Sequence, residues 1–333
     1  MPKVDDVARL ANVSKGTVSN VFSGKRPTSD EVKQRVLEAA RTLKYTPNHI
    51  ARSLVTKQTM IIGLKMPYSK NLALGSLHTN IINGVVTEAA VKNYRVLIDT
   101  IPPMEKTRSY ISTDPIDGVI VLGPEVKDER IKALSQSNIP FVVIGIPFGV
   151  NDVSYVDNDN EEMTYELVNL LASRGHKKIL FLNAIEKKTV ARVRGNGFIK
   201  GLEGNNLAYG EKDMVYNRFI YEDPKLYGCD ATLEAFGQCP DYTAIIADTD
   251  RVALGVLKAL KDMGKQVRKE VSVIALSDDY MLSQESDTPL TTVNLFPEQL
   301  GKEAVRLLME KIQNKDANIN RRIIIPAKVI SHF

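Results

Sequence analysis

Between Val4 and Leu43 the apolar residues recur at helical spacing in three short runs. Val4, Val7, Ala8 and Ala11 share one face of a first helix. Val18, Val21 and Phe22 share one of a second, and Val32, Val36, Ala39, Ala40 and Leu43 one of a third. Three such stripes can bury against one another, so the pattern predicts a small helical bundle. The polar residues between them fit. Asn12 tolerates the left-handed backbone of a tight turn, Ser14 is placed to cap the second helix and Ser29 the third. Gly24 and Pro27 break the chain between those two, and Asp30 and Glu31 suit the dipole of the third helix's first turn. Pro47 ends that helix. Asn48 is then placed to cap a very short fourth one, His49 to Val55, which cannot persist alone in water and should form only when packed on something.

After Thr59 the pattern changes to short β-rich apolar runs separated by helical stretches. MIIGLKM (60–66), RVLID (95–99), GVIVLG (118–123), FVVIG (141–145), KILFLN (178–183), TAIIAD (243–248) and VSVIAL (271–276) read as strands, with MVYNRFI (214–220) a weaker one. NEEMTYELVNLLASRG (160–175) and DRVALGVLKALKDMG (250–264) are among the helical patterns between them. This alternation predicts parallel sheets covered by helices. Eight or nine strands suggest two such units, with YVDNDN (155–160) the expected crossover.

Length supports several domains, since 333 residues exceed one ordinary core. No apolar run is long enough to span a bilayer, and MPKVDDVARL lacks the features of a secretory signal. The two cysteines, Cys229 and Cys239, form neither a metal-type pair nor a disulfide framework, so a reducing, cytoplasmic setting is expected. Charge is uneven. Residues 1–60 hold 11 Lys/Arg against 5 Asp/Glu, a net of +6, whereas the whole chain is +4, which leaves −2 for the rest. A basic, helical head on a near-neutral body points to a polyanion as partner of the head.

The second helix sharpens this. With Val18, Val21 and Phe22 inward, Gly16 and Asn20 point away from the core, flanked by Thr17 and Ser19, with Lys15 near the N-terminus. A merely solvated helix more often carries Glu, Lys and Gln, which form helices better. A helix that enters the DNA major groove contacts base edges from its first turns and phosphates through hydroxyls and capping groups. Gly16 then lets backbone approach the bases. In the short fourth helix, Leu54 is placed to wedge a base step from the minor groove; the alternative is a linker whose Leu54 packs on a neighbouring domain.

DDVARLANVSKGTVSNVFSG, followed by LKYTPNHIARSLVTKQTMIIGL, resembles the lactose/galactose repressor (LacI/GalR) family over long, correctly ordered motifs. The resemblance implies an α/β protein with an N-terminal three-helix helix-turn-helix domain and hinge helix, then a two-lobed periplasmic-binding-protein-like core with parallel sheets. The expected boundaries are residues 1–46 for the DNA-binding domain and 47–59 for the hinge. Residues 60–156 with 291–320 form one subdomain, and 157–290 with 321–333 the other, the chain crossing again near 290 and 320. Lys15, Gly16, Asn20 and Leu54 become base contacts; Ser14, Thr17, Ser29 and Asn48 become phosphate contacts. The family usually has Arg where this chain has Asn20. Arg reads guanine and Asn prefers adenine, so the operator is expected to differ from the usual half-site.

In open α/β sheets ligands bind beyond the carboxyl ends of the strands. There the chain places Arg194, Thr249, Asp250, Ser277 and Asp278, which suit a polyhydroxylated ligand. The plainer reading makes Asp250 a helix cap and pairs Arg194 with a carboxylate. Arg194, Gly197 and Phe198 match the family's R-x-x-G-F, and Asp250, Ala253 and Gly255 its D-x-x-A-x-G. Thr249, Ser277 and Gly145 stand where the family usually has Asn, Asp and Asp. The effector is therefore expected to differ from the best-known galactosides and to be less hydroxylated or phosphorylated. Asn71 and Tyr221 are further pocket candidates. Catalysis has little support: His49, His78, His176 and His332 lack metal-ligand partners, and no P-loop, G-x-S-x-G or dinucleotide fingerprint appears.

The reading is a cytoplasmic, sequence-specific DNA-binding regulator, a repressor of a carbohydrate-utilisation operon controlled by a small sugar-like effector. No enzyme activity, cofactor, metal or membrane is expected. The partners are palindromic double-stranded operator DNA, a carbohydrate effector and a second copy of the chain. RRIIIPAKVISHF carries no tetramer-forming heptads, so the expectation is a homodimer. The competing readings are a solute-binding protein of a transport system and an α/β enzyme with an accessory DNA domain.

Overall fold

The computed structural model describes residues 2–23, 26–45, 58–67, 74–100, 115–217, 223–277, 290–314 and 320–331. The chain divides into two compact units, Met1–Thr59 and Met60–Phe333.

The first unit is the expected bundle: α1 (Val4–Leu10), α2 (Lys15–Ser23) and α3 (Asp30–Thr42). Val7, Ala8, Ala11, Val18, Val36, Ala39 and Ala40 form its buried centre. Val4, Val21, Phe22, Val32 and Leu43 pack around them, as the periodicity requires, joined by Val13 and Tyr45, which the helical stripes did not include. Asn12 makes the turn after α1 with φ +54°, the left-handed backbone that Asn tolerates. The tilted ring pair Phe22–Tyr45, with centroids 5.9 Å apart, packs against this small core.

The second unit holds two six-stranded sheets. The first contains β1 (Ile61–Met66), β2 (Arg95–Thr100), β3 (Gly118–Leu122), β4 (Phe141–Ile144), β5 (Tyr155–Asp157) and β11 (Arg322–Ile324), in the order β2-β1-β3-β4-β5-β11. The second contains β6 (Ile179–Ile185), β7 (Met214–Asn217), β8 (Ala244–Ala247), β9 (Ser272–Ala275), β10 (Thr291–Asn294) and β12 (Lys328–Ile330), in the order β7-β6-β8-β9-β10-β12. All neighbours are parallel except β10 and β12. Strands β3, β8 and β9 are buried along their whole length, which is why they read as unbroken apolar runs.

Helices cover both faces of each sheet. α4 (Ser76–Val91) and α10 (Pro297–Gln313) pack on one face of the first sheet, and α5 (Glu129–Ser135) lies on the other. α6 (Asn160–Ser173) and α7 (Thr189–Gly204) pair on one face of the second sheet; α8 (Pro224–Gln238) and α9 (Asp250–Asp262) pair on the other. Two motif glycines explain themselves here. A Cβ on Gly197 would lie 2.1 Å from the Glu161 carbonyl oxygen, and one on Gly255 would lie 2.1 Å from that of Lys225. Both positions hold helix backbones in contact.

Because β10 pairs in the second sheet and β11 in the first, the chain crosses between lobes at residues 295–296 and 325–327. The crossings expected near 290 and 320 therefore fall about five residues later. The displaced stretch, Thr291–Asn294, pairs with β9 before the chain turns at Phe296, whose φ is +48°. Asn158, in the first crossover, is buried and ties all three together. Its Nδ2 donates to the Leu295 carbonyl at 3.1 Å and the Ile325 carbonyl at 2.8 Å.

Candidate functional site

Two regions concentrate polar side chains without an evident folding role. The first is the outer face of α2. Ser14 Oγ accepts from the Thr17 backbone N–H at 3.1 Å and lies 2.9 Å from Thr17 Oγ1, so both hydroxyls frame the helix start. Gly16 is exposed, and a Cβ there would meet only Ser14 Oγ, at 3.6 Å. No packing in the head requires glycine. Lys15 and Ser19 are exposed beside it, and Asn20 and Thr17 are half-buried. Lys15 Nζ lies 2.7 Å from Asp5 Oδ2, both largely in solvent. Such a pair is worth about 0–1 kcal/mol and yields readily to a phosphate. Ser29 occupies the N-cap of α3 but makes no side-chain cap hydrogen bond, contrary to the expected cap. Leu54 and Asn48 lie outside the described residues.

The second region lies where the two sheets' carboxyl ends face each other. Strand order reverses between β1 and β3 in one sheet and between β6 and β8 in the other. Such reversals open a crevice at the strands' carboxyl ends. Arg194 reaches this point from α7, and Asp248 follows β8. Arg194 Nη1 donates to Asp248 Oδ1 at 2.5 Å, and its Nε donates to Asn160 Oδ1 at 2.8 Å. Asn160 Nδ2 in turn donates to Asp157 Oδ1 at 3.0 Å. Burial pushes the Asp157 carboxyl up to about 6, although the N–H groups of Asn158 and Ile146 and the Arg194 charge pull the other way. Arg194 is thus held by a carboxylate, as the plainer sequence reading had it, with its remaining guanidinium edge set by that pairing.

Thr249 caps α9, its Oγ1 accepting from the Val252 N–H at 3.2 Å. Asp250 follows, 1 % exposed. Its Oδ1 accepts from the Arg251 N–H at 2.8 Å, while its Oδ2 is buried without a hydrogen-bond partner among the described residues. Asp250 faces the first lobe: a Cβ on Gly75, at the start of α4, would lie 3.4 Å from Oδ1. Beside it the Ser76 and Ser277 hydroxyls meet across the lobes at 3.2 Å. His78, on the first turn of α4, senses both walls. Burial and then the Lys188 cation lower its pKa, against the pull of Asp250, so the imidazole is neutral at pH 7. Asn71, Tyr221 and Asp278 lie outside the described residues.

A clasp joins the lobes at the same reversal points. Residues after β3 run against residues after β6: the Val126 N–H donates to the Lys187 carbonyl at 2.8 Å, and the Thr189 N–H to the Pro124 carbonyl at 3.1 Å. Lys188 Nζ donates to the Gly123 carbonyl at 2.9 Å and to Glu125 Oε1 at 3.3 Å, and Lys187 pairs with the same carboxylate at 2.9 Å. Burial lowers Lys188 to about 8 despite Glu125. Burial also opposes ionisation of Glu125, but the two lysines more than offset it and hold the carboxyl below its ordinary range. Arg130 steadies this loop, pairing with Asp128 at 2.7 Å and donating to the Met66 and Gly123 carbonyls at 3.3 Å each.

Residues 3–48 match the bacterial regulatory proteins of the lacI family, and residues 153–331 match the periplasmic binding protein-like domain. The chain is 33% identical over 335 residues to an HTH-type transcriptional repressor PurR of Mannheimia succiniciproducens, covering 99% of this chain and 98% of the relative. The chain belongs to the lacI family of bacterial regulatory proteins. It is also 28% identical over 329 residues to the HTH-type transcriptional regulator CelR of Thermobifida fusca, covering 97% of this chain and 95% of that one. A solved CelR–cellobiose complex superposes with a TM-score of 0.75 at 26% identity, each chain covered to 99%. The operator-bound lac repressor dimer shares the fold, with a TM-score of 0.85 at 22% identity over 99% of this chain and 98% of that one. This lacI-family chain is a DNA-binding transcriptional regulator with the two-lobed core of the family, not an enzyme or a transport protein.

Several residues of the regulator's cleft escaped the sequence reading. Asp248, Asn160 and Asp157 support Arg194, and the signal for two of them was present. YVDNDN stacks four amide or carboxyl side chains at a strand end, more than a crossover alone requires. Glu125, Lys188, Ser76 and His78 left no such trace, because each matters only through a partner in the other lobe.

Proposed function

We propose that the regulator is a cytoplasmic homodimeric repressor of carbohydrate-utilisation genes, released from or held on a palindromic operator by a sugar-like effector in the interlobe cleft. Lys15, Gly16 and Asn20 read base edges, and Ser14, Thr17 and Ser29 hold phosphates. Leu54 joins the base contacts and Asn48 the phosphate contacts, while Arg194, Thr249, Asp250 and Ser277 form the effector wall, with Asn71 and Tyr221 as further effector contacts. Two-fold pairing fits the task, since one helix-turn-helix reads only half a site. The relation to CelR, solved with cellobiose, supports a carbohydrate effector.

The observation that carries the effector assignment is the Asp250 carboxylate. A buried oxygen without a donor costs about 1–3 kcal/mol, and Oδ2 of Asp250 is such an oxygen. A ligand hydroxyl entering between Asp250 and α4 satisfies it and displaces the direct contact between Ser76 and Ser277. Because the hydroxyl and carboxylate meet only when both lobes flank the ligand, binding is coupled to lobe closure, and closure to the spacing of the two heads.

The test is a thermal-shift screen of the full-length protein against small sugars and sugar phosphates, cellobiose included. A sugar that binds the native core raises its melting temperature. Asp250→Asn is expected to weaken that sugar at least about tenfold, or about 1.4 kcal/mol, while leaving operator binding without effector intact. A sugar that stabilises parent and variant equally would remove Asp250 from the site. No response across the panel would refute the carbohydrate class and leave the DNA assignment untouched.

A further inference from the structure

Arg194 is the cationic side chain of the effector wall, and its charge is already answered. Asp248, just beyond β8, meets its Nη1 at 2.5 Å, and Asn160 holds its Nε at 2.8 Å. Two atoms of the ion pair remain. Among the described residues Arg194 Nη2 and Asp248 Oδ2 make no hydrogen bond, and neither is sealed from solvent. The pair therefore offers one donor nitrogen and one acceptor oxygen, with no net charge.

Acceptors outnumber donors around this pair. Asp250 Oδ2 is a second oxygen without a donor among the described residues. Burial pushes the Asp248 carboxyl up, Arg194 pulls it down and the Asp250 charge adds to the push, so the two carboxylates act on one another. The cations of the neighbouring clasp carry their own counter-charges: Lys187 and Lys188 share Glu125, and Arg130 pairs with Asp128. A lone guanidinium would suit a phosphate or carboxylate, whose oxygens match its fork. Arg194 is not a lone guanidinium.

We propose, on the reading of this cleft as the effector site, that Asp248 sets the effector's charge: by holding Arg194 in an ion pair it admits an uncharged polyol and turns away phosphorylated or acidic sugars. A hydroxyl both donates and accepts. One such group can accept from Arg194 Nη2 and donate to Asp248 Oδ2, and a further hydroxyl can donate to Asp250. A phosphate dianion has acceptors only, so it would gain Nη2 and face two carboxylates, a like-charge contact that is heavily penalised away from water. An ammonium has donors only and would set a second positive charge against Nη2. Selection here comes from a repelling group as much as from an attracting one. The phosphorylated effector that the departures from the family motifs left open is thereby ruled out.

The probe is inorganic phosphate, titrated by calorimetry into the full-length parent and into Asp248→Asn, which keeps the shape and removes the charge. Phosphate held by the basic head contributes equally to both, so the difference reads the cleft. Asp248→Asn is expected to bind phosphate at least about tenfold more tightly than the parent. Adding Arg194→Gln is expected to abolish that gain, and Asp248→Glu, which keeps the charge, is expected to show none. An Asp248→Asn protein that melts like the parent yet gains no phosphate affinity would overturn the proposal, as would a gain that survives Arg194→Gln. The parent alone supplies a second arm should the variant fail to fold. Glucose 6-phosphate is expected to raise its melting temperature no more than glucose does, and a larger rise that Arg194→Gln removes would overturn the proposal. No response to any sugar would refute the carbohydrate reading and leave the phosphate gain standing, so the two failures are distinguishable.

Discussion

Gly16 is a residue whose presence folding does not explain. It is exposed, its backbone is helical, and the space a side chain would take is open. Alanine there raises helix propensity by up to about 1 kcal/mol, so Gly16→Ala should melt no lower than the parent. If Gly16 lets backbone approach base edges, as proposed, the same variant should lose at least about tenfold in operator affinity, because its methyl group would stand in that approach. Fluorescence anisotropy on an operator duplex, paired with thermal denaturation, checks both. A variant that is more stable and binds equally well would make Gly16 an ordinary surface position. Gly197 and Gly255 show the converse. As letters in family motifs they sit beside ligand candidates, yet each holds two helix backbones in contact. Sequence alone does not distinguish a glycine that admits a ligand from one that admits another helix, since both are simply a missing Cβ.

At the scale of elements, what was legible is what depends on one segment at a time. Helical stripes located α1, α2 and α3 and their inward faces; unbroken apolar runs located the buried parallel strands. The crossovers were placed several residues early because β10 is a short polar strand, TTVN, whose identity comes from pairing with β9. Asn158 was not singled out for the same reason, as its partners lie 137 and 167 residues away. It joins the three connections between the lobes. Asn158→Ala strips two buried carbonyls of their donor at about 1–3 kcal/mol each. Hydrogen exchange should accelerate at residues 157–160, 295–297 and 325–327 before the sheet centres are affected. Unchanged exchange there would remove Asn158 from the hinge. The clasp adds a pH dependence. Lys188 is held at about 8 by burial between the closed lobes, whereas an opened, solvated lysine returns toward its ordinary value near 10.4. Closed lobes bind this proton more weakly, so closure releases it, and raising pH through about 8 favours closure. Small-angle scattering at pH 7 and pH 9 should show the core becoming more compact, and Lys188→Met should abolish the difference. Expansion at pH 9 in the parent would reverse the assignment.

At the scale of the molecule, the chain separates a basic reading head from a near-neutral sensing core. The +6 of the first sixty residues gave the partner's charge, and the strand-helix alternation gave the core. The effector cleft was legible only in outline. Thr249, Asp250 and Ser277 lie beyond strand ends and Arg194 reaches them from α7, but three of the four already serve the fold or each other, as an ion pair, a helix cap and a hydroxyl pair between lobes. Which polar groups remain for a ligand depends on those pairings, and only the structure reveals the unpartnered oxygen of Asp250. The head presents the opposite case. Its face on α2 is visible in the order of residues, because helical geometry alone decides which side chains turn away from the core.

On the proposed function, this small polar face, Lys15, Gly16 and Asn20 foremost, reads base sequence in a two-fold operator. The most direct measurement is anisotropy of the full-length protein with palindromic duplexes selected from a random pool, against scrambled duplexes of equal length, at two salt concentrations and with and without candidate effectors. At least a thousandfold preference for the palindrome is expected, about 4 kcal/mol. Asn20→Ala is expected to lower palindrome binding while leaving the salt-dependent, non-specific component in place. Equal affinity for palindromic and scrambled duplexes under every condition would contradict it.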